Sequence, residues 1–155
     1  MKQRTYVDTS VLGGVNDPEF QEWSNRLIDE FKAGTRIIVL SDLTLRELEN
    51  APDVIRSITG GIPAGSREIV TLTDEAKALA RGYIAEGGIS ERFLLDAQHI
   101  AMATICRADV LVSWNFKHIV NLKRIRLYNA VNLKNGYHII EIRSPREVLQ
   151  DEEGV

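Results

Sequence analysis

Apolar residues along this chain recur with two different periods. Short runs of strand length stand at 5–7, 36–40, 69–72, 110–112 and 138–142. The 36–40 run (RIIVL) and the 110–112 run are continuous, as strands buried on both faces tend to be. Between these runs the spacing changes to three and four. Phe20, Trp23, Leu27, Ile28 and Phe31 form one face of an amphipathic helix, with Pro18 at its first position and Gly34 at its stop. Ser41 is placed to cap a helix carrying Leu43, Leu45, Glu47 and Leu48, and Pro52 ends it or starts another short one. Gly60 to Gly65 (GGIPAG) is the clearest loop. Thr73 caps a helix with Asp74 and Glu75 in its first turn, and Gly87-Gly88 ends it. Ser90 begins the next, whose packed face is Phe93, Leu94, Ala97, Ile100, Ala101 and Thr104. A helix over 122–134 stops at Asn135-Gly136, and Ser144-Pro145-Arg146-Glu147 starts a short terminal one.

Strands alternating with helices predict an α/β domain: a central parallel sheet with helices on both faces. No repeat or interdomain linker interrupts 1–149, which reads as one domain, and 150–155 reads as an acidic, mobile tail. The composition agrees, with 155 residues, 44% hydrophobic and 26% charged. No apolar run approaches the roughly 18 residues of a membrane span, and the first residues lack the apolar core of a signal peptide. Cys106 is the single cysteine. These features predict a cytoplasmic protein with no membrane association.

Charge adds one feature. The net charge of −3 argues against broad, nonspecific nucleic-acid binding, yet 110–140 contains no Asp or Glu and holds Lys117, Lys123, Arg124, Arg126 and Lys134. That segment is either a phosphate-binding face or a solvated basic helix.

In open α/β sheets, ligands bind beyond the carboxyl ends of the strands. Asp8 follows the first strand, Ser41 and Asp42 the second, and Ser113-Trp114-Asn115 the 110–112 strand. Each of these is equally suited to capping or turning the chain. Asp96 is harder to explain that way, because it lies within an apolar helical stretch, where a carboxylate is rare unless paired or bound to metal. Glu47 poses the same question, with Arg36 and Arg46 as alternative partners.

Taken together, these residues resemble the PIN-domain nucleases, particularly the VapC-like toxins of bacterial toxin–antitoxin pairs. The resemblance runs from Tyr6 to about Val120. It rests on Tyr6-Val7-Asp8-Thr9-Ser10 at the first strand end, Thr44-Leu45-Arg46-Glu47-Leu48 on the helix after the second strand, Asp96-Ala97-Gln98-His99-Ile100-Ala101-Met102-Ala103, and Val112-Ser113-Trp114-Asn115-Phe116. It implies a PIN fold and a metal-dependent endoribonuclease acting on RNA phosphodiesters. Asp8, Glu47 and Asp96 would be its acids, and an antitoxin and a second copy of the chain its partners. The chain departs from the pattern at Asn115, where many relatives carry a fourth acid, so a second metal position loses a charge.

Three carboxylates close together repel, by roughly 4 kcal/mol per pair about 4 Å apart at an effective dielectric near 20. Oxygen donors suit Mg²⁺ or Mn²⁺, and no tetrahedral His/Cys set is present for zinc. In this reading Asp8 and Asp96 are the main metal ligands, and Glu47 holds a water or second ion. Asn115 contributes through its carbonyl oxygen or positions a water. Ser10 and Ser113 hydrogen-bond the carboxylates or the phosphate, and His99, one turn from Asp96, supports the site. Lys117 and His118 would meet phosphate, and Lys123, Arg124 and Arg126 the RNA backbone. Trp114 and Phe116 are expected in the core, with base stacking as the alternative. Two rival readings use the same residues: a receiver-like or phosphohydrolase domain built on Asp8, and a catalytically silent PIN scaffold that binds RNA or a partner protein.

Overall fold

The computed structural model describes residues 1–153. Its five strands are β1 (Gln3–Val7), β2 (Arg36–Ser41), β3 (Arg67–Val70), β4 (Val110–Val112) and β5 (Ile142–Arg143), and every strand pairing is parallel. They lie in the order β3-β2-β1-β4-β5. The chain therefore builds outward from β1 on one side, then crosses to β4 and β5 on the other. The reversal falls between β1 and β4, and that is where the crevice of such a sheet opens. A receiver-type domain has the order 2-1-3-4-5, so the receiver form of the rival reading does not fit this sheet.

Parallel strands must be covered on both faces, and the side-chain alternation here does that. Tyr6, Val39 and Leu111 point to one core, with residues of helices α5 (Asp74–Ala85), α6 (Leu94–Ile105) and α7 (Leu122–Lys134). Val7, Ile38, Leu40, Val110 and Val112 point to the other. There they meet α1 (Thr9–Gly13), α2 (Gln21–Ala33), α4 (Asp53–Arg56) and α8 (Pro145–Glu153). The remaining helix, α3 (Asp42–Leu48), follows β2 and is capped by the Ser41 hydroxyl, which accepts from Thr44 N–H at 3.1 Å. No helix among the described residues is long and apolar enough to cross a membrane.

Several expected boundaries shift for identifiable reasons. Residues 17–20 form a turn closed onto the Asp17 carbonyl, so regular helix α2 starts at Gln21. Gly34 ends it in the left-handed conformation (φ 78°) that favours glycine. The third strand is 67–70 rather than 69–72, because Arg67 to Val70 are the residues in register with Ile38 to Ser41. The last strand is reduced to two residues. Instead of a neighbouring strand, the Asn129 amide satisfies Ile140, donating to its carbonyl (3.1 Å) and accepting its N–H (2.8 Å). Ser90 caps a 3-10 turn, Glu91–Phe93, so Asp96 sits in the first turn of α6 rather than in a helix interior. Helix α8 extends past 149 to Glu153, while Gly154 and Val155 lie outside the described residues.

Candidate functional site

Val7 and Val112 are register partners across β1 and β4, so Asp8 and Ser113 emerge side by side where the sheet order reverses. Asp8 is 4% exposed. It stands at the start of α1, but its side chain does not cap that helix. Its two oxygens instead accept from two hydroxyls, Ser10 to Oδ1 and Ser113 to Oδ2, each at 2.6 Å. Both serines also receive backbone hydrogen bonds, from Trp114 N–H (3.0 Å) and Asn115 N–H (2.9 Å) respectively. The loop after β4 and the carboxylate after β1 thus form one hydrogen-bonded unit.

Asn115 extends that unit to the second acid. Its amide nitrogen donates to Asp96 Oδ2 at 3.1 Å, and its amide oxygen accepts from His118 N–H at 2.9 Å. Reversing the amide would set N–H against N–H at one end and oxygen against oxygen at the other, so the network fixes this orientation. Asn115 therefore turns its nitrogen to Asp96, and its carbonyl oxygen, one of the two expected routes to a metal or its water, is taken up by the His118 N–H.

Glu47 approaches from α3. It accepts from His99 Nε2 at 3.3 Å, while His99 Nδ1 lies 2.7 Å from the Tyr6 hydroxyl. The ionised Glu47 carboxylate only accepts, which places a hydrogen on His99 Nε2, and in the neutral ring Nδ1 is free to accept from the Tyr6 hydroxyl. His99 is 3% exposed, so this relay holds Glu47 from inside the fold. The buried Thr9 hydroxyl stands beside Glu47 and adds to the contacts that hold its carboxyl down.

Electrostatics separates the three acids. Burial raises the Asp8 carboxyl, with His99 and the two serines opposing. Burial also raises Asp96, and the charge of Asp8 raises it further. Glu47, more open, is held below the ordinary carboxylate range first by its contact with His99. Two desolvated carboxylates that repel each other are a setting a cation relieves. The donors are carboxylate oxygens, which fits a hard divalent ion. Among the described residues no three Asp, Glu, His or Cys side chains close into a metal-binding cluster. What the residues fit is an open site, with one or two carboxylates and the remaining positions left to water or substrate oxygen.

The expected RNA-contact residues do not act alike. Lys117, Lys123 and Arg126 are exposed, the last two beside Leu122 and Leu127 at a surface hollow on α7. Arg124 instead donates to the Gly88 carbonyl at 2.7 Å, tying α7 to the loop after α5. His118 is buried with its ring 3.8 Å from that of Phe93, away from the exposed position expected of a phosphate contact. Trp114 is buried as expected, but Phe116 is 49% exposed. Tyr6 was not legible as a site residue, since its partner lies 93 positions away in sequence.

No protein-family model matches the chain, and no curated protein matches it significantly in sequence. Solved structures do. One is the Mycobacterium tuberculosis toxin VapC20, described as cleaving the sarcin–ricin loop: 13% identity, TM-score 0.55, covering 74% of this chain and 92% of that one. A second is VapBC2 from Rickettsia felis bound to a DNA fragment from its promoter: 14% identity, TM-score 0.59, 92% and 98% covered. A third is FitAB bound to a DNA fragment: 15% identity, TM-score 0.58, 91% and 94% covered. At this identity the likeness is one of fold, and it is the fold that the PIN resemblance implies.

Proposed function

We propose that this chain is a divalent-metal-dependent endoribonuclease, the toxin of a toxin–antitoxin pair. The observation that carries the reading is the buried Asp8, with both oxygens held by Ser10 and Ser113, facing Asp96 and Asn115 where the parallel sheet reverses. That constellation sits on a fold shared with VapC20, described as a sarcin–ricin loop cleaving toxin, and with VapBC2 and FitAB, each bound to a DNA fragment. With the PIN resemblance of the sequence, the reading extends to an antitoxin partner, a second copy of the chain and a cytoplasmic setting.

Asp8 and Asp96 would hold Mg²⁺ or Mn²⁺, with Glu47 holding a water or a second ion. The ion, when bound, lowers the pKa of water and stabilises charge on phosphoryl oxygens. The chain's own residues prepare that site. Ser10 and Ser113 fix Asp8 as an acceptor with its lone pairs oriented. Asn115 donates to Asp96 and so fixes that carboxylate without adding a fourth charge. His99, set by Tyr6, restrains Glu47 at the open side. Lys117, Lys123 and Arg126 supply exposed positive charge for the RNA backbone.

The test is incubation of the purified protein with structured and single-stranded RNA in Mg²⁺, Mn²⁺ or EDTA. Cleavage that appears with metal and disappears with EDTA is the expected result. RNA binding without cleavage in any metal would instead establish the silent scaffold.

A further inference from the structure

Residues 113–116 alternate in what they face. Ser113 holds the buried Asp8 and Asn115 the half-buried Asp96, while Trp114 and Phe116 line a cavity of about 480 Å³ bounded by α2 and α8. Trp114 is fixed on two sides. Its indole N–H donates to Ser24 Oγ at 2.8 Å, and its ring stacks on Phe20 at 4.3 Å and 20°. Gly14 makes this possible, because a Cβ there would strike both Ser24 and the indole. Phe116 stands at the rim, 6.1 Å from Trp114 and inclined at 60°. Trp23, also in the wall, carries the guanidinium groups of Arg26 at 4.5 Å and Arg146 at 5.7 Å. Neither core packing nor the acids explain a half-exposed phenyl ring at the mouth of an aromatic cavity.

We infer that this cavity is a nucleobase subsite, which stacks a base next to the phosphodiester held at Asp8 and Asp96. The inference rests on the nuclease reading. Aromatic faces stack any base, and stacking is the general means of holding single-stranded nucleic acid. Glu19 and Glu147 line the cavity together with Arg146, so its wall offers acceptors to the amino edge of a base, which donates to carboxylates. Trp114 and Phe116 flank Asn115 in the chain, about 3.8 Å away from Cα to Cα, so the cavity wall and the supports of the acids are immediate neighbours. That continuity favours RNA over a partner protein as the occupant.

Trp23 and Trp114 are the chain's only tryptophans and both line the cavity, so intrinsic fluorescence reports on it directly. The experiment titrates the full chain with an uncleaved 2′-O-methyl oligoribonucleotide and with versions carrying one abasic position at successive sites. Wild type, Phe116→Ala and Phe116→Tyr are compared, with RNA cleavage measured in parallel. The expected result is quenching by the intact strand, weakened affinity at one abasic position, a loss of about fivefold or more in Phe116→Ala, and recovery in Phe116→Tyr. The abasic penalty at that position should vanish in Phe116→Ala. Absence of quenching, or an abasic penalty identical in Phe116→Ala, overturns the subsite, as does quenching by an antitoxin but not by the oligonucleotide. Metal-dependent cleavage without the Phe116 coupling sinks the subsite alone. Quenching and coupling without any cleavage sink the nuclease reading and leave a base-binding cavity.

Discussion

The side-chain nitrogen of Asn115 lies 3.1 Å from Asp96 Oδ2, and its oxygen caps the His118 N–H at 2.9 Å. A neutral donor stands where a carboxylate would crowd two acids already raised by burial. Asn115→Asp therefore replaces an attraction with a repulsion. The metal-free variant should melt below wild type, and added Mg²⁺ should recover more of the difference than it adds to wild type. Thermal melts in EDTA and in Mg²⁺ measure both. Equal melting temperatures in EDTA would show that residue 115 does not act through charge.

Ser113 is fully buried and bonds both Asp8 and the Asn115 N–H. Ser113→Ala leaves a buried carboxylate oxygen and a backbone donor unpaired. The expected cost is about 1–3 kcal/mol of stability, with lowered cleavage, read by urea unfolding and initial rates. Stability within error of wild type would contradict the hydrogen-bonded unit described above.

Glu47 depends on His99, and His99 on Tyr6. Tyr6→Phe removes only the hydroxyl that bonds His99 Nδ1, and His99→Ala removes the restraint itself. Cleavage should fall in both, by about 10–100-fold when the support of a metal-site residue is lost, and further in His99→Ala. Unchanged rates in a folded His99→Ala would make that contact purely structural.

Asp8 and Asp96 both bind a proton more tightly in the folded chain than in the unfolded one. Their contribution to metal-free stability is therefore full below about pH 4, the unfolded carboxylate range. It is lost as pH rises through their raised values. Metal-free Asp8→Asn should lose less stability than wild type as pH rises toward neutrality, and divalent metal should remove the difference. Parallel pH profiles for the two proteins would argue against a strained acid pair.

Among the basic residues, Lys123 and Arg126 are exposed to solvent-borne anions, whereas Arg124 holds Gly88. Reversing Lys123 or Arg126 should weaken RNA binding and reduce the salt slope by about 1 for each phosphate no longer neutralised. Arg124→Ala should act mainly on stability. The same salt slope in all three variants would remove α7 from the RNA-binding surface.

The acids were legible because their signals are local. Asp8 and Ser113 end strands, Glu47 follows a Ser41 cap, and Asp96 lies one turn before His99. The supports were not legible, because each joins residues remote in sequence: Tyr6 to His99, Asn115 to Asp96, Arg124 to Gly88. Helix α1 shows no period in the sequence because its five residues bury only Val11 and Leu12. The last strand is shorter than its pattern suggests. Residues 138–142 are apolar enough for a sheet, while the Asn129 amide takes the place of a strand partner at Ile140. Phe116 reads as core by composition, and only its position at the cavity rim shows otherwise.

The most direct test is single-turnover cleavage of one defined RNA across a range of Mg²⁺ concentrations, by wild type and by Asp96→Asn. A rate that saturates with Mg²⁺ in wild type, and falls by more than about 100-fold in the folded variant, is the predicted result. Cleavage that survives EDTA, or persists undiminished in Asp96→Asn, would contradict a metal-dependent site built on Asp8 and Asp96.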